Sequence, residues 1–572
     1  MRLFGGAQVE AVLTRLNIDE DVPIESGLIG RLVESSQTRV EGANFDVRKH
    51  LLEYDDVLNT QRERIYEQRD RIFDKADLRE DVTDMLRTEV GRRIDEGMQD
   101  EEGPWRLLAY LEDIQPPISE SGVTHPSFAL KLMMDRIGSV ESIEDLKERL
   151  LKLAADALKA WHDHLHHWAE TLISRSELGF ESQFAERSDM LDTYVDGLSY
   201  DESGVRGNMA EELSNLLRVP LRLTDEIEAG IVAGSQDALE EVRNQIRSTL
   251  MQIFIRRLIL TFERRLNDNW NLKASELMSE SWVEIQSLLL DRMDDALSRR
   301  EERFLGESGE IARDLDANWE QMETALEDPS ALMRLLMVMT QGRVITFDDR
   351  THRRKMKQTM RLTYVFLAAH QLEDEPLDDI QSEILSHLET AQVKLCEVWG
   401  QLEFDRIYNA GHTLADLSEN WQKRLSERLS EESFNRMAHQ PLNQLSKADR
   451  ARLVDVLGGF TQNQLYRQLL LSKISELWVE YLTKVEALRV SVRMEAYGQR
   501  DPLVEYKGQA STMFSELLSD IRAGVIDRMF RTRLVSGEAL KKLQESRQKA
   551  AAASSSSTSE EHQKKKKGRK RH

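Results

Sequence analysis

Apolar residues between Val33 and Ile72 recur in two rows, each with a step of seven. Val33, Val40, Val47 and Tyr54 form one row; Leu51, Leu58, Ile65 and Ile72, offset by four, form the other. This is the a/d pattern of a helix seam, and the positions between are mostly charged or amide. From Gln37 to Arg69 there is no proline and one glycine, Gly42. Gln61 and Gln68 continue the first row, and Gln37 and Asn44 precede the second, where a pure coiled coil places apolar groups. A buried amide is costly unless bonded, and it fixes register when it is. The pattern predicts one long helix whose seam is shared among several partners. At about 1.5 Å rise per residue, some 40 residues span roughly 60 Å, the length of a beam rather than of an ordinary domain helix.

A second seam runs through Leu470, Ile474, Leu477, Tyr481, Val485, Leu488 and Val492, and a third through Tyr506, Ala510, Met513, Phe514, Leu517, Ile521 and Val525. Between them lies EAYGQRDP. Gly498 suits a left-handed backbone at a turn. Asp501 can cap the next helix, with Pro502 at its first position, where a missing N–H costs nothing. The local signals predict an antiparallel helical hairpin with a polar tip.

Residues 76–460 show 3.6-residue periodicity in LREDVTDMLRTEVGRRID, LKERLLKLAADALKAWHDHLHHWAETL, ALEEVRNQIRSTLMQIFIRRLILTFERRL and SWVEIQSLLLDRMDDALSRREERF. Breaks are expected at Gly103-Pro104, Pro116-Pro117, Gly204 to Gly207, Gly306 to Gly309 and Pro329. The fold class expected is all-α: a long helix packed with an antiparallel helical hairpin, plus a large helical region between them.

Composition narrows the function classes. The net charge is −24, and seven of the last nine residues are Lys or Arg, so the body before them is more acidic still. Such a surface repels phosphate backbones, which argues against nucleic acid as a partner. The single cysteine, Cys396, excludes an intrachain disulfide or a multi-cysteine zinc site and fits a reducing compartment; between Leu395 and Val398 it reads as core. No apolar run approaches the ~20 residues of a membrane span; LMQIFIRRLILTF is broken by Arg256 and Arg257. With no signal-peptide core at the N-terminus, the expected location is the cytoplasm, with membrane contact only at the surface.

The beam also carries a resemblance. Val40, Glu41, Gly42, Asn44, Phe45, Asp46, Arg48, Lys49, Leu51 to Val57, Asn59, Gln61, Arg62, Ile65, Tyr66 and Arg69 resemble the long scaffold helix of SecA, the motor subunit of bacterial preprotein translocation. The hairpin resembles that family's two-helix finger through Leu477, Trp478, Glu480, Leu482, Leu488, Arg489, Tyr497, Gln499, Asp501, Pro502, Glu505, Tyr506, Lys507, Met513 and Phe514. It departs from the family pattern where Ser475 replaces an acidic residue, Tyr481 a histidine, and Ser491, Glu495 and Ala496 a glycine, an arginine and a glycine. The resemblance implies five regions: 1–20, beginning MRLFGG, a remnant following the motor lobe; 21–75, the scaffold helix; 76–460, either an expanded helical wing domain or an inserted helical domain; 461–535, the two-helix finger; 536–572, a disordered basic tail.

It also implies roles. Glu41, Asn44, Phe45, Arg48, Lys49, Glu53, Tyr54, Asp55, Asp56, Gln61 and Arg62 would be the scaffold-helix set. Tyr497, with Gln499 and Arg500, would contact polypeptide at the channel; a broad ring with a polar end grips varied chain without demanding a sequence. The implied partners are SecA-type motor domains, a SecY-type channel and unfolded preprotein. The phosphate loop, acidic box and second-lobe arginine motif are absent from the sequence. ATP and magnesium therefore enter only through the family's motor domains, and no cofactor or catalytic residue is assigned to this chain. The chain is expected to be a fragment or split-gene product coupling a separate motor to polypeptide movement. The alternative is a stand-alone helical scaffold or adaptor that has lost the motor.

Three further features have local readings. In WHDHLHHW, residues 161–168, His162 and His166 stand at i,i+4, as do Asp163 and His167, a spacing that permits two metal ligands on one face. No third ligand is identifiable and HExxH is absent, so the stretch reads as a polar face between two packing tryptophans, no metal is assigned, and a metal-dependent hydrolase ranks last. GRVITFDDRTHRRKMK, residues 342–357, joins a β-like run, Val344 to Phe347, to Arg350, Arg353, Arg354, Lys355 and Lys357; it reads as a solvated basic loop, or as a contact for anionic lipid or an acidic partner. The tail, with Lys564, Lys565, Lys566, Lys567, Arg569, Lys570 and Arg571, is either solubilising or a membrane-surface contact worth ~1 kcal/mol per charge.

Overall fold

The computed structural model describes residues 27–98, 103–198, 209–306, 308–347, 354–373, 375–495 and 502–532. Tyr497, Gln499, Arg500, Gly498, Asp501, Arg350, Arg353, the first twenty residues and the basic tail lie outside them. Helices dominate, as expected. In chain order they are α1 (Gly27–Asp74), α2 (Arg79–Gly97), α3 (Gly103–Ile114), α4 (Phe128–Ile137), α5 (Ile143–Leu198), α6 (Met209–Leu217), α7 (Asp225–Val232), α8 (Gln236–Leu266), α9 (Trp282–Leu305), α10 (Glu310–Ala317), α11 (Trp319–Ala325), α12 (Pro329–Thr340), α13 (Val365–Leu372), α14 (Leu377–Asn409), α15 (Glu419–Leu429), α16 (Glu431–Ala438), α17 (Lys447–Glu495) and α18 (Pro502–Met529). Two antiparallel hairpins complete the described elements: β1 (Ile118–Glu120) with β2 (Val123–His125), and β3 (Gln341–Phe347) with β4 (Arg354–Met360). Ser121 and Gly122 both take positive φ, 54° and 80°. That is the two-residue turn whose twist suits a hairpin, and it sets Glu120 opposite Val123. The β-like run Val344 to Phe347 lies in β3, paired to Arg354–Lys357 of β4.

Local signals explain several helix starts. Ser281 and Glu284 form a reciprocal capping box at α9. Pro329, a break in the periodicity, proves to be the first residue of α12, and Asp328 caps it by accepting from the Ser330 N–H at 2.9 Å. Gly306 ends α9, its N–H donating to the Glu302 carbonyl.

The chain divides into two compact units. One holds the described residues up to Gly103, Tyr110–Ser127, and those from Pro376 on; the other holds Pro104–Ala109 and Phe128–Glu375. Residues 76–460 thus fall into both.

In the first unit, α1 and α2 lie against α14, α17 and α18. Its core takes Ile65 from α1, Val82, Leu86, Val90 and Ile94 from α2, Ile380, Ile384 and Leu388 from α14, and Val525 and Ile526 from α18, each fully buried. Around the end of α14, Phe404, Ile407 and Leu414 join Leu425, Phe434, Met437, Leu453 and Leu457 in a satellite cluster. The second unit is built on α5, 56 residues long, against α8 and α9. Leu165, Ala169 and Ile173 of α5, Val242, Ile246, Ile255 and Phe262 of α8, and Ile285, Leu289 and Met293 of α9 fill its core. Burial of this area, at about 25 cal/mol per Å² of apolar surface, is the dominant stabilising term. Among the described residues, no helix is long and apolar enough to cross a membrane.

Candidate functional site: the beam and hairpin junction

The hairpin seams are buried as predicted. On α17, Leu470, Ile474, Tyr481, Val485, Leu488 and Val492 are buried; on α18, so are Tyr506, Ala510, Phe514, Leu517, Ile521 and Val525, while Leu477 and Met513 of the predicted seams are half-buried. The beam differs from its prediction along its length. From Tyr54 onward most of its seam is covered: Tyr54, Gln61, Ile65 and Ile72 are buried and Leu58 is half-buried. Before Tyr54 the described side chains are exposed, apart from half-buried Val40 and Glu53. Of the four seam amides, only Gln61 is buried; Gln37, Asn44 and Gln68 face solvent. The heptad pattern marks a face along the rod, and among the described residues its buried positions begin at Tyr54.

Gln61 is where beam and hairpin interlock. The Tyr481 hydroxyl of α17 donates to Gln61 Oε1 at 2.7 Å. Gln61 Nε2 donates to the Ala510 carbonyl of α18 at 3.3 Å, and the Tyr481 oxygen lies 3.3 Å from that same carbonyl. One amide thus ties three helices and fixes the axial register of the rod, as a bonded buried amide does. Two turns earlier, Tyr54 meets the fully buried Tyr506 edge to face, ring centroids 4.7 Å apart. Trp478 stacks on Tyr481, which meets Phe514 edgewise at 5.9 Å. Arg489 lies 3.6 Å from Asp55, a partly screened pair with a small contribution.

Further along, Arg69 donates to Ser475 Oγ at 3.1 Å. Ser475 and Tyr481, two departures from the resembled pattern, therefore both touch α1. Burial pushes the Tyr481 phenol up to about 12. Its native form favours the proton, so its contribution is complete below the ordinary tyrosine value near 10 and is lost as pH rises through about 12. Tyr481→Phe should remove ~1–2 kcal/mol, because Gln61 Oε1 loses its donor, and should flatten the alkaline limb of stability between those values. Urea melts from pH 9 to 12 measure both; an unchanged limb would mean that Tyr481 does not carry it.

The most connected part of the junction was not singled out by the sequence. Where α1 ends and α2 begins, α17 clamps the elbow. Arg467 donates to the Ile72 carbonyl at 3.0 Å and to the Lys75 carbonyl at 2.7 Å, satisfying carbonyls that a helix end leaves open. Asn463 accepts from the Leu78 N–H at 2.9 Å and donates to the Ala76 carbonyl at 2.6 Å. The available signal was polarity inside an apolar helix: Gln462 and Asn463 are buried, and Gln462 donates to the Tyr466 hydroxyl at 3.0 Å.

Beside the elbow an open cleft of about 750 Å³ is lined by Lys75, Asp77, Arg79, Gln392, Cys396 and Tyr466. The side-chain hydrogen bond from Arg79 holds Asp77 at about 2, and burial pushes the Cys396 thiol up to about 11. Cys396 is therefore an inert core thiol.

Of the scaffold-helix set, Tyr54 and Gln61 face the hairpin, Glu53 is half-buried, and Glu41, Asn44, Phe45, Arg48, Lys49, Asp55, Asp56 and Arg62 are exposed. Phe45, Leu52, Tyr66 and Phe73 are 49–67 % exposed and lie on one row with a step of seven, interrupted by Asn59. They make an apolar stripe on the side of the rod away from the hairpin. In the second unit, the histidine cluster does not converge. His166 pairs with Asp294 at 2.6 Å, His164 stacks on Phe366 at 4.2 Å, and the buried Nε2 of His162 has no hydrogen-bond partner. Among the described residues no group of three His, Cys, Asp or Glu is arranged to hold a metal ion.

Comparison with known proteins agrees with this architecture. The family described as the SecA Wing and Scaffold domain matches residues 23–194 and 186–533. The protein translocase subunit SecA of Syntrophus aciditrophicus is 31 % identical over 252 residues, 40 % of this chain and 29 % of that protein. Those of Symbiobacterium thermophilum and Pelotomaculum thermopropionicum are 34 % identical over 162 residues and 47 % over 116, covering 27 % and 20 % of this chain and 17 % and 13 % of theirs. The chain thus spans less than a third of the length of these relatives. No solved structure matches it. With a family match running from residue 23 to residue 533, over a rod locked to an antiparallel helical hairpin, the chain belongs to the SecA wing and scaffold family.

Proposed function

We propose that this chain is the coupling part of a SecA-type translocation machine: it transmits movement of an ATPase motor, held on separate domains, to a polypeptide crossing the cytoplasmic membrane. The observation that carries this reading is the two-sided rod. One face of α1 is locked to the hairpin through Gln61, Tyr481 and Ala510, and another presents Phe45, Leu52, Tyr66 and Phe73 to solvent. A stiff helix fixed to one body and sticky toward another converts displacement of the second into displacement of the first. Motor domains are the occupant proposed for the exposed stripe. In this reading the hairpin tip, with Tyr497, Gln499 and Arg500, addresses the polypeptide at a SecY-type channel, and the machine works from the cytoplasmic side of the membrane, touching only its surface.

Purified SecA-type motor domains with reconstituted channel provide the test. Adding this chain should raise ATP hydrolysis and restore preprotein transport, and Tyr497→Ala should impair transport while leaving the unfolding curve unchanged. Absence of both binding and stimulation would overturn the coupling role and leave a stand-alone scaffold; equal transport by the tip variant would remove Tyr497 from the mechanism.

A further inference from the structure

Four arginines of the second unit stand near the end of α9 and the strand β4, and three of them have carboxylates. Arg299 pairs with Asp268 at 2.7 Å. Arg303 takes one oxygen of Glu310 at 2.7 Å, and Arg361 takes the other at 3.2 Å together with Asp314. Arg300 is the exception. Its guanidinium lies over the Trp161 ring, 4.5 Å from the centroid, and 5.9 Å from that of Phe304. Among the described residues it pairs with no carboxylate. Burial, then the neighbouring Arg303, disfavours its charge. An arginine does not shed its proton to escape such a position, so it keeps an unbalanced positive charge held in place by two aromatic faces.

Arg299, Arg300 and Arg303 line one open pocket of about 420 Å³, together with Asp268, which is taken up by Arg299, and with Thr359 and the exposed Met360 of β4. A planar fork fixed by stacking is pre-organised for an oxyanion. Three guanidinium groups around one pocket suit a tetrahedral group, whose oxygens point several ways, better than a planar carboxylate.

We infer that this pocket, between α9 and β4, is a binding site for a phosphate group, carried either by a small soluble molecule or by a phospholipid headgroup, with Arg300 as its principal ligand.

The full chain at low ionic strength provides the test. Calorimetric titration with inorganic phosphate and with glycerol phosphate should show one site, and Arg300→Gln should lose about tenfold in affinity, the worth of one charge-assisted pair. Arg292→Gln removes the same charge from an exposed position on the same helix and should change nothing. Asp268→Asn frees Arg299 to face the pocket and should tighten binding several-fold, a gain that a purely structural role for Arg300 would not produce. Sedimentation with phosphatidylglycerol vesicles, against phosphatidylcholine, separates the sources: an Arg300-dependent loss there assigns the lipid, and a loss only in the soluble titration assigns the small molecule. No phosphate binding by the unmodified chain, equal weakening by Arg300→Gln and Arg292→Gln, or no gain from Asp268→Asn would each overturn the assignment.

Discussion

Gly458→Ala is expected to destabilise the first unit by about 3 kcal/mol or more, the upper end of the overpacking range. Gly458 lies on α17 where it crosses α14. A Cβ there would sit 2.1 Å from the Cys396 carbonyl oxygen and 3.0 Å from its carbon and its sulfur. The crossing is reciprocal: a Cβ on Gly400 of α14 would sit 2.0 Å from the Val454 carbonyl oxygen of α17. The nearest obstructing atoms are backbone, so no rotamer change relieves them and the helices must part. Parting them opens a gap around Trp399 and Tyr466, both almost wholly buried, and loses dispersion contacts along the crossing.

Gly459 is the internal control. A Cβ there meets only Arg79 Nη1, at 4.0 Å. Gly459→Ala should be neutral or stabilise by ~0.5–1 kcal/mol, since alanine is the better helix former. Urea melts of the two variants decide the matter. Equal stability of both would refute the close crossing.

The second large effect is expected at the elbow. Asn463→Ala removes one side chain but unpairs two backbone groups, the Leu78 N–H and the Ala76 carbonyl. Leu78 is 1 % exposed, so water does not replace the lost partner without opening the joint. Ala76 is exposed and borders the open cleft, so water can reach its carbonyl; the loss is then that of the buried Leu78 N–H, about 1–3 kcal/mol. The same change should act locally: amide exchange at Leu78 should accelerate by orders of magnitude while that of Val485, deep in the hairpin, changes only with global stability. If the joint also transmits motor displacement, the variant should lower stimulated ATP hydrolysis more than a core substitution of matched stability loss away from the rod, chosen from Ile384→Val and Ile384→Ala of α14. Protection at Leu78 unchanged in the variant would show that Asn463 does not hold the elbow.

The differences between expectation and structure follow one line. The seven-residue step correctly placed the apolar face of α1, and the hairpin seams were legible almost residue by residue, because each is a property of one helix and its 3.6-residue turn. The step did not tell which part of the rod is covered. Gln37, Asn44, Gln61 and Gln68 are equivalent in pattern, yet among the described side chains only Gln61 lies opposite a tyrosine hydroxyl and the Ala510 carbonyl. Likewise Ser475 and Tyr481 stood out as departures from a family pattern without any sign that both face the rod.

Gly458 and Gly459 are identical neighbours in sequence and opposite in consequence, since one points at Cys396 and the other at open space. The elbow residues Asn463 and Arg467 were legible only as polar groups in an apolar helix; their partners lie about 390 residues away. In WHDHLHHW, i,i+4 spacing put His162 and His166 on one face, but the neighbour supplied by α9 is Asp294, an ion-pair partner for one of them.

By itself, then, the sequence determined that this protein is helical, where its rod and its hairpin lie, which faces are apolar, and, through the residues of the rod and the hairpin, its family. Those are properties written within a single helix or in direct residue identity. Among the described residues, tertiary structure decided which seam positions of the rod are covered, which seam amide is buried, where helices cross closely enough to require glycine, and that Arg300 in its pocket is left without a carboxylate. Each of these depends on groups distant in sequence meeting within a few ångströms, and periodicity along one chain segment contains no term for what stands opposite it.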